Sequence, residues 1–194
     1  MNAVKIKTLD RFTDDEFFEF CQLNDDLHME RDAEGNIIIM DLTGSEGGSF
    51  NNSVSSEIYN WNKKEKSGKS FDSSTGFTFP DSSVKGPDAA WIAIERWKAL
   101  PKEDRKKFAH ISPDFVIEIR SESDNLDTLK EKMEAYIKNK VRLAWLIDPL
   151  VKQTFVYRIN GTIELIPSFD IPLLGEDVLK GFELVLSELL EEED

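Results

Sequence analysis

The sequence predicts an α/β fold in which a mixed central sheet is flanked by helices and preceded by an N-terminal helix and hairpin. Three observations carry that expectation. Residues 126–138 place Leu126, Leu129, Met133, Tyr136 and Ile137 on one helical stripe. Residues 141–147 are almost all apolar, as in a strand covered on both faces, and so belong at the centre of a sheet. Asn160-Gly161 joins the runs 153–158 and 162–166 as a two-residue hairpin turn.

The remaining elements follow in chain order. Thr13-Asp14-Asp15-Glu16 has the form of a capping box ahead of Phe17, Phe18 and Phe20, so a helix is expected to start there and run toward Leu27. Residues 28–31 and 37–42 flank Glu34-Gly35-Asn36, a turn rich in residues that tolerate positive φ, and read as a hairpin. The loop Gly44-Ser45-Glu46-Gly47-Gly48-Ser49 lacks the Gly-Lys-Ser/Thr ending of a phosphate-cradling loop, so that reading is rejected. A helix is expected over 51–66, then strands over 76–79, 89–94 and 115–119. Residues 95–109 read as a helical connection with Pro101 at a first-turn position.

With 194 residues and 40% apolar content the chain is long enough to build one core, and a single domain is expected over 1–194. It divides into an N-terminal helix and hairpin (1–45), a core (46–185) and an acidic tail (186–194). The absence of a long apolar run and of a charged-then-apolar leader points to a cytoplasmic, soluble protein without a membrane partner. One cysteine and two histidines exclude a disulfide framework and argue against zinc or Cys/His chemistry. Cys21, in an apolar helical run, is expected in the core.

Charge is unevenly spread within the net −14. Residues 1–60 carry 4 basic and 13 acidic groups, 61–107 carry 11 and 7, and 108–194 carry 9 and 18. The basic middle surrounds Asp88 in sequence. Its lysines and arginines either contact phosphates near a site at Asp88 or form the solvated faces of surface helices.

The candidate chemistry lies in Gly86-Pro87-Asp88 and, about thirty residues on, Ser112-Pro113-Asp114-Phe115-Val116-Ile117-Glu118-Ile119-Arg120. Carboxylates set into apolar runs are costly unless they bind something. If the two strands pair antiparallel, Asp88 lies beside Glu118, whereas Asp114 is about 13 Å from Glu118 at ~3.3 Å per residue and too far to share a ligand. Arg120 points to the same face as Glu118. Two apposed carboxylates suit Mg²⁺ or Mn²⁺, which can activate water and stabilise charge on a phosphate. Lys130 and Lys132 both flank the apolar stripe of 126–138, so either could reach that pocket. The structural alternative is that Pro-Asp merely opens a strand or caps a loop.

Pro87-Asp88, the run from Pro113 to Ser121, Ser123-Asp124, Lys132-Met133-Glu134-Ala135-Tyr136 and Trp145-Leu146-Ile147-Asp148-Pro149 together resemble the Uma2 family, also called DUF820. Ser73 to Phe77 and Gly175 to Phe182 fit it as well, so the resemblance runs from about residue 51 to 182. It implies a restriction endonuclease-like core of the PD-(D/E)xK superfamily and a Mg²⁺- or Mn²⁺-dependent endonuclease with DNA as substrate. Related nucleases often work as homodimers that address two strands. The resemblance also implies that Asp88 and Glu118 are the metal carboxylates and that Lys132 carries the lysine displaced from its usual strand position, where Arg120 stands. That leaves two cations for one role. Glu57, on the helix from residue 51, is in the region where some superfamily members place another acid. Lys140 and Ala144 stand where glycines are expected. The alternatives are a silent nuclease-fold binding or regulatory module, which the acidic balance favours, and a hydrolase of small phosphoesters.

Overall fold

The computed structural model describes residues 4–8 and 11–190. The first strands are β1 (Val4–Ile6), β2 (His28–Arg31), β3 (Ile37–Met40), β4 (Gly68–Asp72), β5 (Phe77–Thr78), β6 (Val84–Lys85) and β7 (Ala89–Ala93). They are followed by β8 (Ala109–His110), β9 (Phe115–Ile119), β10 (Leu143–Asp148), β11 (Gln153–Arg158), β12 (Ile163–Ile166), β13 (Leu173–Leu174) and β14 (Glu183–Leu184). The helices are α1 (Asp14–Leu23), α2 (Ser45–Glu65), α3 (Ile94–Ala99) and α4 (Leu126–Lys138).

The central sheet has the order β12-β11-β10-β9-β7-β4 and is mixed as expected, with β9 and β10 parallel and the other neighbours antiparallel. All six residues of β10 are buried, which fits its place near the middle of the sheet. Phe115, Ile117, Trp145 and Ile147 point to one face, where they pack on Phe50, Val54 and Ile58 of α2. Val116, Ala144 and Leu146 point to the other, against Met133 and Tyr136 of α4. Burying side chains of this size contributes about 1.5–3 kcal/mol each. Alternation along β9 therefore decides which helix each residue meets, and it sends Glu118 toward α4.

Helix α2 begins at Ser45, six residues before the expected start. Gly44 caps it without a side-chain hydrogen bond, and Gly47 and Gly48 lie inside its first turn. Each internal glycine costs ~1 kcal/mol, a local penalty that the packing of Phe50, Val54 and Ile58 outweighs. Helix α1 keeps its capping box at Thr13 but stops at Leu23 rather than Leu27. The stretch 95–109 is not one helical connection. Pro101 forces the preceding Leu100 to extended backbone (ψ 142°), so α3 ends at Ala99, and a 3₁₀ turn (Asp104–Lys106) and β8 follow.

The expected N-terminal hairpin forms, with β2 and β3 antiparallel. It belongs to a second six-stranded sheet, β1-β3-β2-β6-β5-β8, which also takes in the expected strand near 76–79. Arg31, 1% exposed, ties this sheet to α1 by donating to the carbonyls of Phe12, Thr13 and Ser82 and to the Asp14 carboxylate. Cys21, expected in the core, is only half-buried, against a small apolar cluster of Phe17, Ile37 and Val84. At the other end, Leu186–Leu189 forms a 3₁₀ turn whose Leu186 is buried in the main core, so packed structure continues into 186–190. The acidic run 191–194 lies outside the described residues. Lys140 has φ +74°, the left-handed conformation at the end of α4 that favours glycine.

Candidate active site

Strand β7 pairs antiparallel with β9 in the register Ala89↔Ile117. One step further along that register, Asp88 comes opposite Glu118, as the sequence led us to expect. Both sit where β7 begins and β9 ends, at the carboxyl ends of the parallel pair β9 and β10, a common place for ligand sites in α/β sheets. On this face α4 presents Lys132 and, one turn later, Tyr136. The Lys132 Nζ lies 2.9 Å from Glu118 Oε1, and the Tyr136 hydroxyl donates to the same oxygen at 2.7 Å. Asp88 Oδ2 accepts the Ile119 N–H at 2.7 Å, and its Oδ1 accepts from the Asn51 amide of α2 at 3.2 Å.

The fourth charged member comes from the N-terminal sheet. Glu30 of β2 is buried, its Oε1 lies 2.9 Å from Lys132 Nζ, and it accepts the Gly86 N–H at 3.0 Å. Three carboxylates thus meet one ammonium in a place largely sealed from water. Burial, with Asp88 and Glu30 nearby, pushes the Glu118 carboxyl up to about 7 against the pull of Lys132 and Tyr136. Asp88 is also raised, by burial first and then by Asp124 and Glu30, against the Ile119 N–H and Lys132. Glu30 ends below its usual value, because Lys132, Lys85 and the Gly86 N–H outweigh the cost of burial. Lys132 is held well above the ordinary lysine value: burial opposes its charge, but Glu118 and Glu30 outweigh burial.

The other candidates are placed elsewhere. Arg120 shares the face of Glu118 but donates from Nη1 to the buried Asp148 at 2.9 Å and from Nε to the Asp124 carbonyl at 3.3 Å. Lys130 lies over the Phe155 ring, 4.6 Å from its centre, which leaves Lys132 as the helix cation at the carboxylates. Asp114 sits at the far end of β9, accepts the Ala93 N–H at 2.9 Å, and pairs with Arg96 at 2.9 Å and Arg142 at 3.6 Å, a structural arrangement. Glu57 is half-buried on α2, off the helix face through which Asn51 and Ser55 reach Asp88, and makes no hydrogen bond or ion pair to the cluster.

The basic stretch is also displaced. Register Gly68↔Ala93 and Asp72↔Ala89 puts Lys63, Lys64, Lys66, Lys69, Arg96 and Lys98 near the Ala93 end of β7, about 16 Å along the strand from Asp88. Of that stretch only Lys85, beside Gly86, acts on the cluster, through Glu30. Glu30 itself was not found from sequence. His28-Met29-Glu30-Arg31 carries no apolar run to make an acid stand out, and only the fold brings it to Lys132. Tyr136 was assigned to the apolar stripe, and its hydroxyl gave no signal.

Among the described residues no group of three or more His, Cys, Asp or Glu side chains is disposed to hold a metal ion. The donor set nonetheless fits a hard cation: Glu118 is buried, Asp88 is partly buried opposite it, the pair is short of positive charge, and Mg²⁺ commonly takes only one or two carboxylates plus substrate phosphate and water. No described helix is long and apolar enough to cross a membrane.

Comparison with known proteins bears on the fold and the family. No curated protein matches the chain. A crystal structure described as that of "a putative nuclease belonging to DUF820", from Anabaena variabilis, superposes with a TM-score of 0.73 at 23% identity, covering 92% of this chain and 97% of that one. At that identity the likeness establishes the restriction endonuclease-like fold. The model of the Uma2 family, described as "Putative restriction endonuclease", matches residues 14–187. That span contains both sheets' strands from β2 onward and every member of the carboxylate–lysine cluster, and the chain belongs to the Uma2 family.

Proposed function

We propose that the chain is a Mg²⁺- or Mn²⁺-dependent endonuclease that hydrolyses DNA phosphodiester bonds at the cluster of Asp88, Glu118 and Lys132. The observation that carries this reading is the apposition of a partly buried Asp88 and a buried Glu118, served by a single lysine, where β7 begins and β9 ends. Asp88 and Glu118 would hold the cation. When bound, it supplies charge neutralisation at the scissile phosphate and eases the deprotonation of water.

The chain's own groups do the rest. Asn51 and the Ile119 N–H fix the orientation of Asp88, and Tyr136 fixes that of Glu118. Lys132 has three N–H donors and directs two at carboxylates, so the third is free for the attacking water or a phosphate oxygen. Arg120 is braced by Asp148 and the Asp124 carbonyl through Nη1 and Nε, which leaves Nη2 to meet a phosphate in a fixed geometry.

The test is nicking of supercoiled plasmid in Mn²⁺ by the native chain and by Glu118→Ala. Cleavage is expected only with the native chain and only with metal; equal cleavage by both would remove Glu118 from the chemistry. A second reading, hydrolysis of a small phosphoester, is favoured by the net charge of −14 and by basic residues placed away from the site. Glu118-dependent turnover of bis(p-nitrophenyl) phosphate without plasmid nicking would select it.

A further inference from the structure

We propose that Glu30 of the N-terminal hairpin is a positioning residue that draws the Lys132 ammonium off Glu118 and so leaves that carboxylate available to a divalent cation. The assignment rests on the metal-site reading of Asp88 and Glu118. Its basis is a shared ammonium: Lys132 Nζ is 2.9 Å from Glu30 Oε1 and 2.9 Å from Glu118 Oε1. The side chains are 13% exposed for Lys132, 8% for Glu30 and 7% for Glu118, so the pairing is largely out of water and each partner depends on the others. One unit charge divided between two carboxylates binds neither fully.

Without Glu30 the lysine would have Glu118 as its one ion-pair partner within 4 Å, with Asp88 farther off. A cation arriving at Glu118 would then have to break a closed, buried ion pair and leave an ammonium with no counter-charge, the costly half of such a pair. With Glu30 in place, Lys132 keeps a partner after Glu118 turns to the metal, and it stays at the site. Glu30 is fixed for this task. Its Oε1 accepts the Gly86 N–H at 3.0 Å, only two residues before Asp88, so the hairpin carboxylate and the metal-side strand are tied together. Tyr136 plays the complementary part by holding Glu118 Oε1 at 2.7 Å in a fixed rotamer. Partners that orient metal ligands from outside commonly change affinity by about 10- to 100-fold when removed.

Glu30 acting as a metal ligand itself is the competing role, and a double substitution separates the two. Mn²⁺ binding to the full-length chain, without DNA, is measured by calorimetry for native protein, Glu30→Gln, Lys132→Met and the double variant, each first shown to be folded by near-UV circular dichroism. Glu30→Gln is expected to weaken Mn²⁺ binding by about tenfold or more, because Lys132 then closes on Glu118. Removing the lysine as well should restore affinity to within a few-fold of native, and Lys132→Met alone should bind at least as tightly as native. Native-like binding by Glu30→Gln overturns the proposal. So does a double variant as weak as Glu30→Gln, which would make Glu30 a ligand, and so does weakened binding by Lys132→Met, the readout that remains if Glu30→Gln does not fold. Absence of Mn²⁺ binding in the native chain would sink the metal-site reading itself, visible before any substitution is made.

Discussion

At Lys132 one ammonium faces Glu30 and Glu118, with Asp88 close behind, and the roles of the two candidate cations separate on that geometry. Lys132 faces two carboxylates at 2.9 Å, whereas Arg120 is braced on Asp148. Lys132→Met should therefore lower turnover by about 100-fold or more with Mn²⁺ binding kept, while Arg120→Lys should lose less than about tenfold. Steady-state nicking rates for the two variants decide it; a dead Arg120→Lys beside an active Lys132→Met would move the chemistry to the strand. Glu118 gives a second expectation. Its carboxyl is raised to about 7 by burial and by Asp88 and Glu30, so its contribution to stability is fully present below the usual value near 4.5 and is lost as pH rises through about 7. With a chelator present, Glu118→Gln should raise the melting temperature at pH 8 and change it little at pH 4.5, and an equal change at both would show that Glu118 is not a buried acid. Glu118 was legible from sequence because an acid inside an apolar strand is costly in any fold, and Asp88 because antiparallel pairing sets it opposite Glu118. Glu30 was not, since its burial depends on a helix about a hundred residues away.

Helices and strands differ in how far local pattern determined them. The stripe of α4 and the apolar run of β10 formed within two residues of where the periodicity put them, and the hairpin of β11 and β12 formed as well, but its turn has three residues, 159–161, with Gly161 at φ +86°, rather than the two expected. The two-residue strands β5, β6 and β8 have no period to read, and the start of α2 was hidden by glycines that only tertiary packing overrides. Helix α1 carries a testable link of its own. His110 of β8 contacts Asp104 through Nδ1 at 2.6 Å and Asp14, at the first position of α1, through Nε2 at 2.9 Å. Hydrogen bonds to Asp104 and Asp14 raise its pKa above the ordinary 6.5, and Arg31 is the other charge on Asp14. A raised histidine stabilises fully below 6.5 and loses that contribution as pH rises through its folded value. The ring is 56% exposed, so the link contributes under about 1 kcal/mol. Amide-exchange protection of 14–23, corrected for intrinsic rates, should fall between pH 6 and pH 9 in the native chain and stay flat in His110→Ala. A fall of equal size in the variant would place the switch elsewhere.

Over the whole molecule the charge of −14 has a direction. The basic cluster on the end of α2, β4 and α3 faces away from the carboxylate end of the sheet, with Lys85, Arg120 and Lys132 left to serve the site. Sequence proximity to Asp88 suggested the opposite, because an antiparallel partner carries nearby residues to the far end of a strand. Reversing Lys63, Lys64 and Lys66 to glutamate should accordingly change the plasmid-nicking rate by less than about twofold at 50 mM salt, while a loss of tenfold or more would bring DNA across that end of the molecule. The coupling of Glu30 to Lys132 has one more consequence, in the order of synthesis. The hairpin leaves the ribosome first and the lysine that completes the cluster about a hundred residues later, a contact of long range that forms late in folding. A chain interrupted before α4 therefore holds an incomplete cluster, and under the proposed nuclease reading a growing polypeptide in the translating polysome could not cut nucleic acid until α4 has docked.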